Sequence, residues 1–250
     1  MVKNISFAVE KGKVLAIIGE SGSGKTLTCK AIMQILNKKT FLVTGGILFN
    51  NINLLNISHK QQQQIIGKDI SMIMQNPMTA FDPMMKIGAH IIETLKAHSN
   101  LNKKQAYSLG VASLNKMNLP RVQELMNSYP HQLSGGMLQR VMIAISLMLK
   151  PSIIIADEAT TALDVKNQSI ILEEFKKIRN DGVGLIIVTH DFGVVAKIAD
   201  EVIVMKNGEI IESGSVYRIF HHAQNNYTKE LLKARFLVDE VDNAYCKESI

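Results

Sequence analysis

The chain reads as an α/β protein with a mixed, mostly parallel core sheet, an antiparallel β subdomain beside it and an α-helical subdomain inserted into it. Three observations predict this. Residues 14–18, 153–156 and 184–189 are short runs apolar on both faces, as strands covered by helices on both sides must be. Helical patterns follow such runs around residues 13–36 and 151–206, the alternation of a parallel sheet. Between these halves, residues 86 to about 128 turn helical, with Ile87, Ile91 and Leu95 on one face at four-residue spacing.

Taken in order, the strand Val14-Leu15-Ala16-Ile17-Ile18 runs directly into Gly19-Glu20-Ser21-Gly22-Ser23-Gly24-Lys25-Thr26. The apolar positions Leu27, Ala31, Ile32, Ile35 and Leu36 then fall at helical spacing. Glycines here let backbone N–H groups turn inward around phosphate oxygens, and the helix start that follows adds positive potential. The context is that of a phosphate cradle, so the chain is expected to bind a nucleoside triphosphate. Lys25 would reach the β- and γ-phosphates, and the Thr26 hydroxyl would ligate Mg²⁺.

Residues 46–50 and 70–74 read as strands, and Gln61 to Gln64 as a solvated loop or helix face. Methionines 72, 74, 78, 84 and 85 surround Gln75. Core filling is the favoured reading of them, ahead of an adaptable apolar groove. Leu109, Leu114 and Met117 continue the helical pattern, and Pro120 and Pro130 punctuate its far end. The strand at residues 153–156 ends on Asp157 and Glu158, at the strand end where open α/β sheets place their ligand chemistry. Asp157 would hold Mg²⁺, and Glu158 would activate water as a general base. His190 ends the next core strand and would reach the γ-phosphate side of the same pocket. Residues 202–206, Asn207-Gly208 and residues 209–211 form a hairpin signal. Two short helices and a polar end are expected beyond Gly214.

With 46% hydrophobic and 20% charged residues over 250 positions, the composition is that of an ordinary globular protein. No apolar run approaches the roughly 18 residues of a membrane span, and the start carries no secretory signal pattern. Cys29 and Cys246 make no disulfide framework or metal spacing, which fits a reducing cytosol. His221-His222 lack a third ligand and are read as solvated. The net charge is +6, but the lysines are scattered, so no nucleic-acid partner is expected.

The order of phosphate loop, Gln75, Leu133-Ser134-Gly135-Gly136-Met137, Asp157-Glu158, Ala162-Leu163-Asp164 and His190 resembles the ATP-binding subunit of ATP-binding-cassette (ABC) transporters. That resemblance spans about residues 2–232. It implies a P-loop NTPase cassette divided into a first core part at 1–75, a helical signature subdomain at 76–135, a second core part at 136–213 and a short helical tail at 214–250. It also implies ATP and Mg²⁺ as cofactors, with Glu158, His190 and Gln75 catalytic and Thr26, Gln75 and Asp157 around the metal. Gly19, Glu20, Ser21, Gly22, Ser23, Gly24, Lys25 and Thr26 would hold the nucleotide of their own chain. Ser134, Gly135, Gly136 and Asp164 would close over the nucleotide of a second cassette, identical or related, paired head to tail. The further implied partners are two transmembrane permease subunits and an extracytoplasmic solute-binding protein, with the cassette peripheral on the cytoplasmic face of the membrane.

Gln75-Asn76-Pro77, Phe81-Asp82-Pro83 and Tyr227-Thr228-Lys229-Glu230-Leu231-Leu232 are similar to the branch that imports peptides, nickel and metal-chelating opines. Met137, and a tail that carries Cys246 alone, tilt the expectation toward nickel or another chelated metal, with a di- or oligopeptide as the alternative. A soluble cassette ATPase and a non-catalytic cassette scaffold fit less well. Two departures stand out. The family generally begins some twenty residues earlier, with an aromatic that stacks on adenine, and Phe7 lies too near the second strand for that role. Ala159 stands where proline usually follows the glutamate, which calls for tuning and not loss of activity.

Overall fold

The computed structural model describes residues 1–160 and 164–234. Thr161, Ala162, Leu163 and Cys246 therefore lie outside the described residues, as does the polar end of the tail. Five strands run parallel: β1 (Val14–Ile18), β4 (Ile70–Ile73), β5 (Ile153–Asp157), β6 (Gly184–Val188) and β7 (Glu201–Lys206). A sixth, β8 (Glu209–Ser215), returns antiparallel to β7, giving the sheet order β4-β5-β6-β1-β7-β8. Asn207 and Gly208 take φ of 51° and 83°, the left-handed pair that a tight primed turn demands. Every residue of β1 and β6 is buried, which explains their uninterrupted apolar runs.

A two-stranded antiparallel sheet, β2 (Leu48–Phe49) with β3 (Ile52–Asn53), stands beside this core. The strand expected over residues 46–50 is thus only two residues long. Gly45 turns the chain at φ 97°, and Asn50 and Asn51 turn it back at φ 48° and 63°.

Helix α1 (Lys25–Ile32) leaves the phosphate loop. Its period matches expectation but its phase does not. Thr28, Cys29 and the capping Met33 face the core, whereas Ile35 lies past the helix end and is 52% exposed. Inward-facing Lys25 sets that rotation. Helix α2 (His59–Ile65) presents its glutamines mainly to solvent behind a Ser58–Gln61 capping box.

The inserted helices are α3 (Ile87–His98), α4 (Lys103–Lys116) and α5 (Val122–Asn127). They bury Ile87, Ile91, Leu95, Leu114, Met117 and Leu125 together with α6 (Gly135–Met148) in one apolar cluster. Arg140 of α6 is only 8% exposed and donates to the carbonyls of Met117 and Asn118 at 3.1 and 3.2 Å, just past the end of α4. A cation there meets the negative pole of the helix.

Helices α7 (Val165–Asn180) and α8 (Phe192–Ile198) cover the sheet, and α9 (Val216–His222) follows β8. Residues 226–234 are also helical. His221 and His222 end α9 exposed, against the Tyr217 ring. Phe7 packs half-buried on the core cluster that includes Cys29 and Phe49, so its ring is engaged in packing. Ala159 is 4% exposed.

The methionines around Gln75 divide between core and surface. Met78 and Met84 are 48% and 84% exposed. Met72 and Met74 line, with Phe81, Met142 and Ile145, a cleft of about 300 Å³. Met72 and Met74 are half-buried and pack against the core clusters, so they fill core on one side and wall a groove on the other.

Candidate functional site

Because β1, β4, β5 and β6 are parallel, their C-terminal ends share one edge of the sheet. Gly19, Gln75, Asp157, Glu158 and His190 all lie at or just beyond those ends. The topology therefore gathers residues from four distant stretches of chain.

Gly19 takes φ 147°, and a Cβ there would lie 2.2 Å from the Met205 carbonyl oxygen, so no side chain fits. Gly22 and Gly24 also have positive φ, 82° and 106°. Gly24 starts α1 with no side-chain cap, leaving first-turn N–H groups available to an anion. Ser21 and Gly22 are exposed, while Ser23 is 5% exposed. Lys25 is 6% exposed and folds back over the loop. Its Nζ donates to Gly19 O at 2.7 Å, Glu20 O at 2.8 Å and Ser23 Oγ at 3.4 Å. Burial lowers its pKa, against the opposing pull of Glu158 and Asp157. All three ammonium protons are occupied by the space-filling loop itself.

Thr26 Oγ1 donates to Asp157 Oδ1 at 3.1 Å, and Asp157 is 2% exposed. Burial pushes that carboxyl up, with the Thr26 hydroxyl working against it. Hydroxyl and carboxylate oxygens so placed are hard donors of the kind that Mg²⁺ takes alongside phosphate oxygens.

Glu158 adopts φ 48° while its N–H donates to Val188 O at 2.8 Å, which fixes it beside β6. Its Oε2 accepts from Gln75 Nε2 at 2.6 Å, and Oε1 lies 3.6 Å from His190 Nδ1. A carboxylate held between an amide and an imidazole, next to the Thr26–Asp157 pair, is placed to orient and deprotonate water.

Ser134, Gly135, Gly136 and Asp164 behave differently. Ser134 caps α6, its Oγ accepting from Met137 N at 3.3 Å, and both Ser134 and Gly135 are exposed. Asp164 caps α7 and accepts from the backbone and side-chain nitrogens of Asn167 at 2.8 and 2.7 Å, which hold its carboxyl below the usual range. Neither group makes a hydrogen bond to residues 19–26 among the described residues.

Sequence reasoning missed a contact from the tail. The Glu20 N–H donates to Tyr227 Oη at 3.1 Å. The visible signal was an aromatic, Tyr227, four positions before Leu231 in an otherwise polar stretch. No group of three or more His, Cys, Asp or Glu that could hold a metal occurs among the described residues. Nor is any described helix long and apolar enough to cross a membrane.

The family model for the ABC transporter matches residues 2–161. The "Metal-staphylopine import system ATP-binding protein CntD" of Staphylococcus aureus (strain Mu50 / ATCC 700699) is 42% identical over 96% of this chain and 89% of its own. The "Glutathione import ATP-binding protein GsiA" of Escherichia coli O157:H7 is 43% identical over 93% of this chain, which spans 38% of that longer protein. Among solved structures, a dimeric ATP-binding cassette in a post-hydrolysis state bound to ADP and Pi superposes with a TM-score of 0.78 at 27% identity, covering 86% of this chain and 90% of the other. These likenesses lead to one conclusion: the chain belongs to the ABC transporter family, as its ATP-hydrolysing cassette.

Proposed function

We propose that this cassette drives import of a chelated metal, nickel among the candidates, through a pair of permease subunits on whose cytoplasmic side it sits. The observation that carries the catalytic part is the Gln75–Glu158–His190 cluster beside the Thr26–Asp157 pair. In this reading Gly19 to Thr26 hold the triphosphate, and Lys25 exchanges the carbonyls of Gly19 and Glu20 for phosphate oxygens. Thr26, Asp157 and Gln75 would hold Mg²⁺. Bound there, the metal would neutralise phosphate charge. Glu158 draws the proton from the attacking water, Gln75 steadies that carboxylate, and His190 reports on the γ-phosphate.

Ser134, Gly135, Gly136 and Asp164 belong to the opposite half of a cassette pair in this reading. Their exposed helix starts offer a hydroxyl, N–H donors and a partial charge of roughly +0.5 to an anion brought from outside the chain. The methionine-lined cleft of about 300 Å³ beside Gln75 suits a permease helix, because thioethers adapt to irregular apolar surfaces. A helix seated there would sense the position of Gln75. A solute-binding protein would deliver the cargo on the far side of the membrane.

The chelated-metal reading is supported by the metal-staphylopine relative, which this chain matches along 89% of that protein's length. A peptide-like cargo is the second reading, supported by the 43% identity to a glutathione importer. Vesicles holding the permease pair, this chain, its mate and the binding protein decide between them. We expect ATP-dependent uptake of a ⁶³Ni chelate and none of labelled glutathione. The reverse pattern would replace metal with peptide, and ATP-independent uptake would contradict the role itself.

A further inference from the structure

We propose that Tyr227 is a positioning residue for the phosphate loop: its hydroxyl grips the peptide joining Gly19 to Glu20 and so ties nucleotide affinity to the helical tail. The proposal rests on nucleotide binding at residues 19–26. Both ends of that one peptide are engaged. Its N–H donates to Tyr227 Oη at 3.1 Å, and its carbonyl accepts from Lys25 Nζ at 2.7 Å. Gly19 sits at φ 147°, where an unrestrained glycine turns freely. The way the peptide faces sets the nearest of the three acceptors that hold Lys25 before a phosphate arrives.

The tail around Tyr227 is built to hold that hydroxyl still. Tyr227 is 7% exposed and Thr228 is fully buried. Lys206 Nζ lies 4.2 Å from the centre of the tyrosine ring, a cation–π distance. The Tyr227 N–H donates to Asn225 Oδ1 at 2.9 Å, and Glu212 of β8 accepts from Gln224 N at 2.7 Å and Asn225 N at 3.2 Å. Leu232 is buried in the same cluster as Ile219 and Phe192. Burial pushes the phenol's pKa up, with the Glu20 N–H working against it and the Glu20 charge with it. The result is a fixed acceptor, 207 positions away in sequence, set against the first peptide of the loop. A loop already ordered loses less freedom when ligand binds.

The test is Tyr227→Phe, which removes one oxygen and keeps the ring. One neutral hydrogen bond corresponds to a factor of about 2 to 10 in equilibrium. We expect the Kd for ATP to rise by that factor, kcat at saturating ATP to stay at the wild-type value, and amide hydrogen exchange at Glu20 to quicken in the nucleotide-free chain. Tyr217→Phe, at a 66% exposed tyrosine of α9, serves as the control and should change neither. Wild-type affinity together with wild-type Glu20 exchange in Tyr227→Phe would overturn the proposal. A raised Kd with unchanged Glu20 exchange would overturn it too, since the loss would then come from packing and not from the peptide. The exchange measurement needs no nucleotide, so it separates failure of this proposal from failure of the nucleotide-binding reading.

Discussion

Two glycine-rich helix starts in this chain offer an anion the same backbone chemistry and sit in opposite surroundings. At the start of α1, Lys25 and Thr26 turn inward and are bonded to Gly19, Glu20 and Asp157. At the start of α6, Ser134 and Gly135 are exposed, and a Cβ on Gly135 would meet no atom within 4 Å. One start is walled by its own chain. The other faces outward, so a ligand that needs both must lie between two chains.

Glu158→Gln leaves both helix starts intact and removes only the carboxylate proposed as the base. General-base loss is expected to lower turnover by roughly 10² to 10⁴ while ATP still binds. Phosphate release beside calorimetric ATP titration checks this. Wild-type turnover would remove Glu158 from the reaction.

Alanine at the two glycines separates a walled start from an open one. Gly19→Ala forces a Cβ onto the Met205 carbonyl oxygen, and we expect a loss of about 1–3 kcal/mol, with weakened ATP binding. Gly135→Ala meets nothing in its own chain, so thermal unfolding should show stability unchanged or up to about 1 kcal/mol higher. Any loss of turnover in that variant then reports a contact from outside the chain. Equal destabilisation by both substitutions would break the contrast.

The smallest expected effect is a pH response confined to the walled side. Burial opposes ionisation of Glu212, yet the Gln224 amide, the Thr228 hydroxyl and the Asn225 amide together outweigh it and hold the carboxyl below its ordinary 4.5. A depressed folded pKa contributes stability in full above the unfolded value and loses it as pH falls through the folded value. Acidification below pH 4.5 should therefore loosen the tail, seen as faster exchange of the Gln224 amide. Glu212→Gln should flatten that response, and Met137 exchange at the signature should not follow it.

Much of this architecture was legible because its signals are local. Apolar runs marked β1, β5 and β6, and Asn207-Gly208 marked the hairpin, since each depends on a few adjacent residues. The order of strands was not legible. Nothing in residues 184–188 says that β6 inserts between β5 and β1, and that placement is what puts Glu158 within reach of His190. The rotation of α1 was hidden for a similar reason: helical spacing gives a period, while the loop sets the phase that buries Lys25, Thr28 and Cys29. Asn50 was read as part of a strand, and the shortening of β2 depends on the positive φ it shares with Asn51. The Tyr227–Glu20 bond spans 207 positions, and the local pattern marks the aromatic but not its partner.

The central claim is that the two helix starts meet on one nucleotide in a cassette pair. Light scattering on the Glu158→Gln chain, with its mate where the pair is mixed, tests it most directly. ATP should roughly double the particle mass, and adding Ser134→Arg should abolish that doubling while ATP still binds at residues 19–26. Doubling that survives Ser134→Arg, or ATP binding with no change of mass in Glu158→Gln alone, would contradict the account.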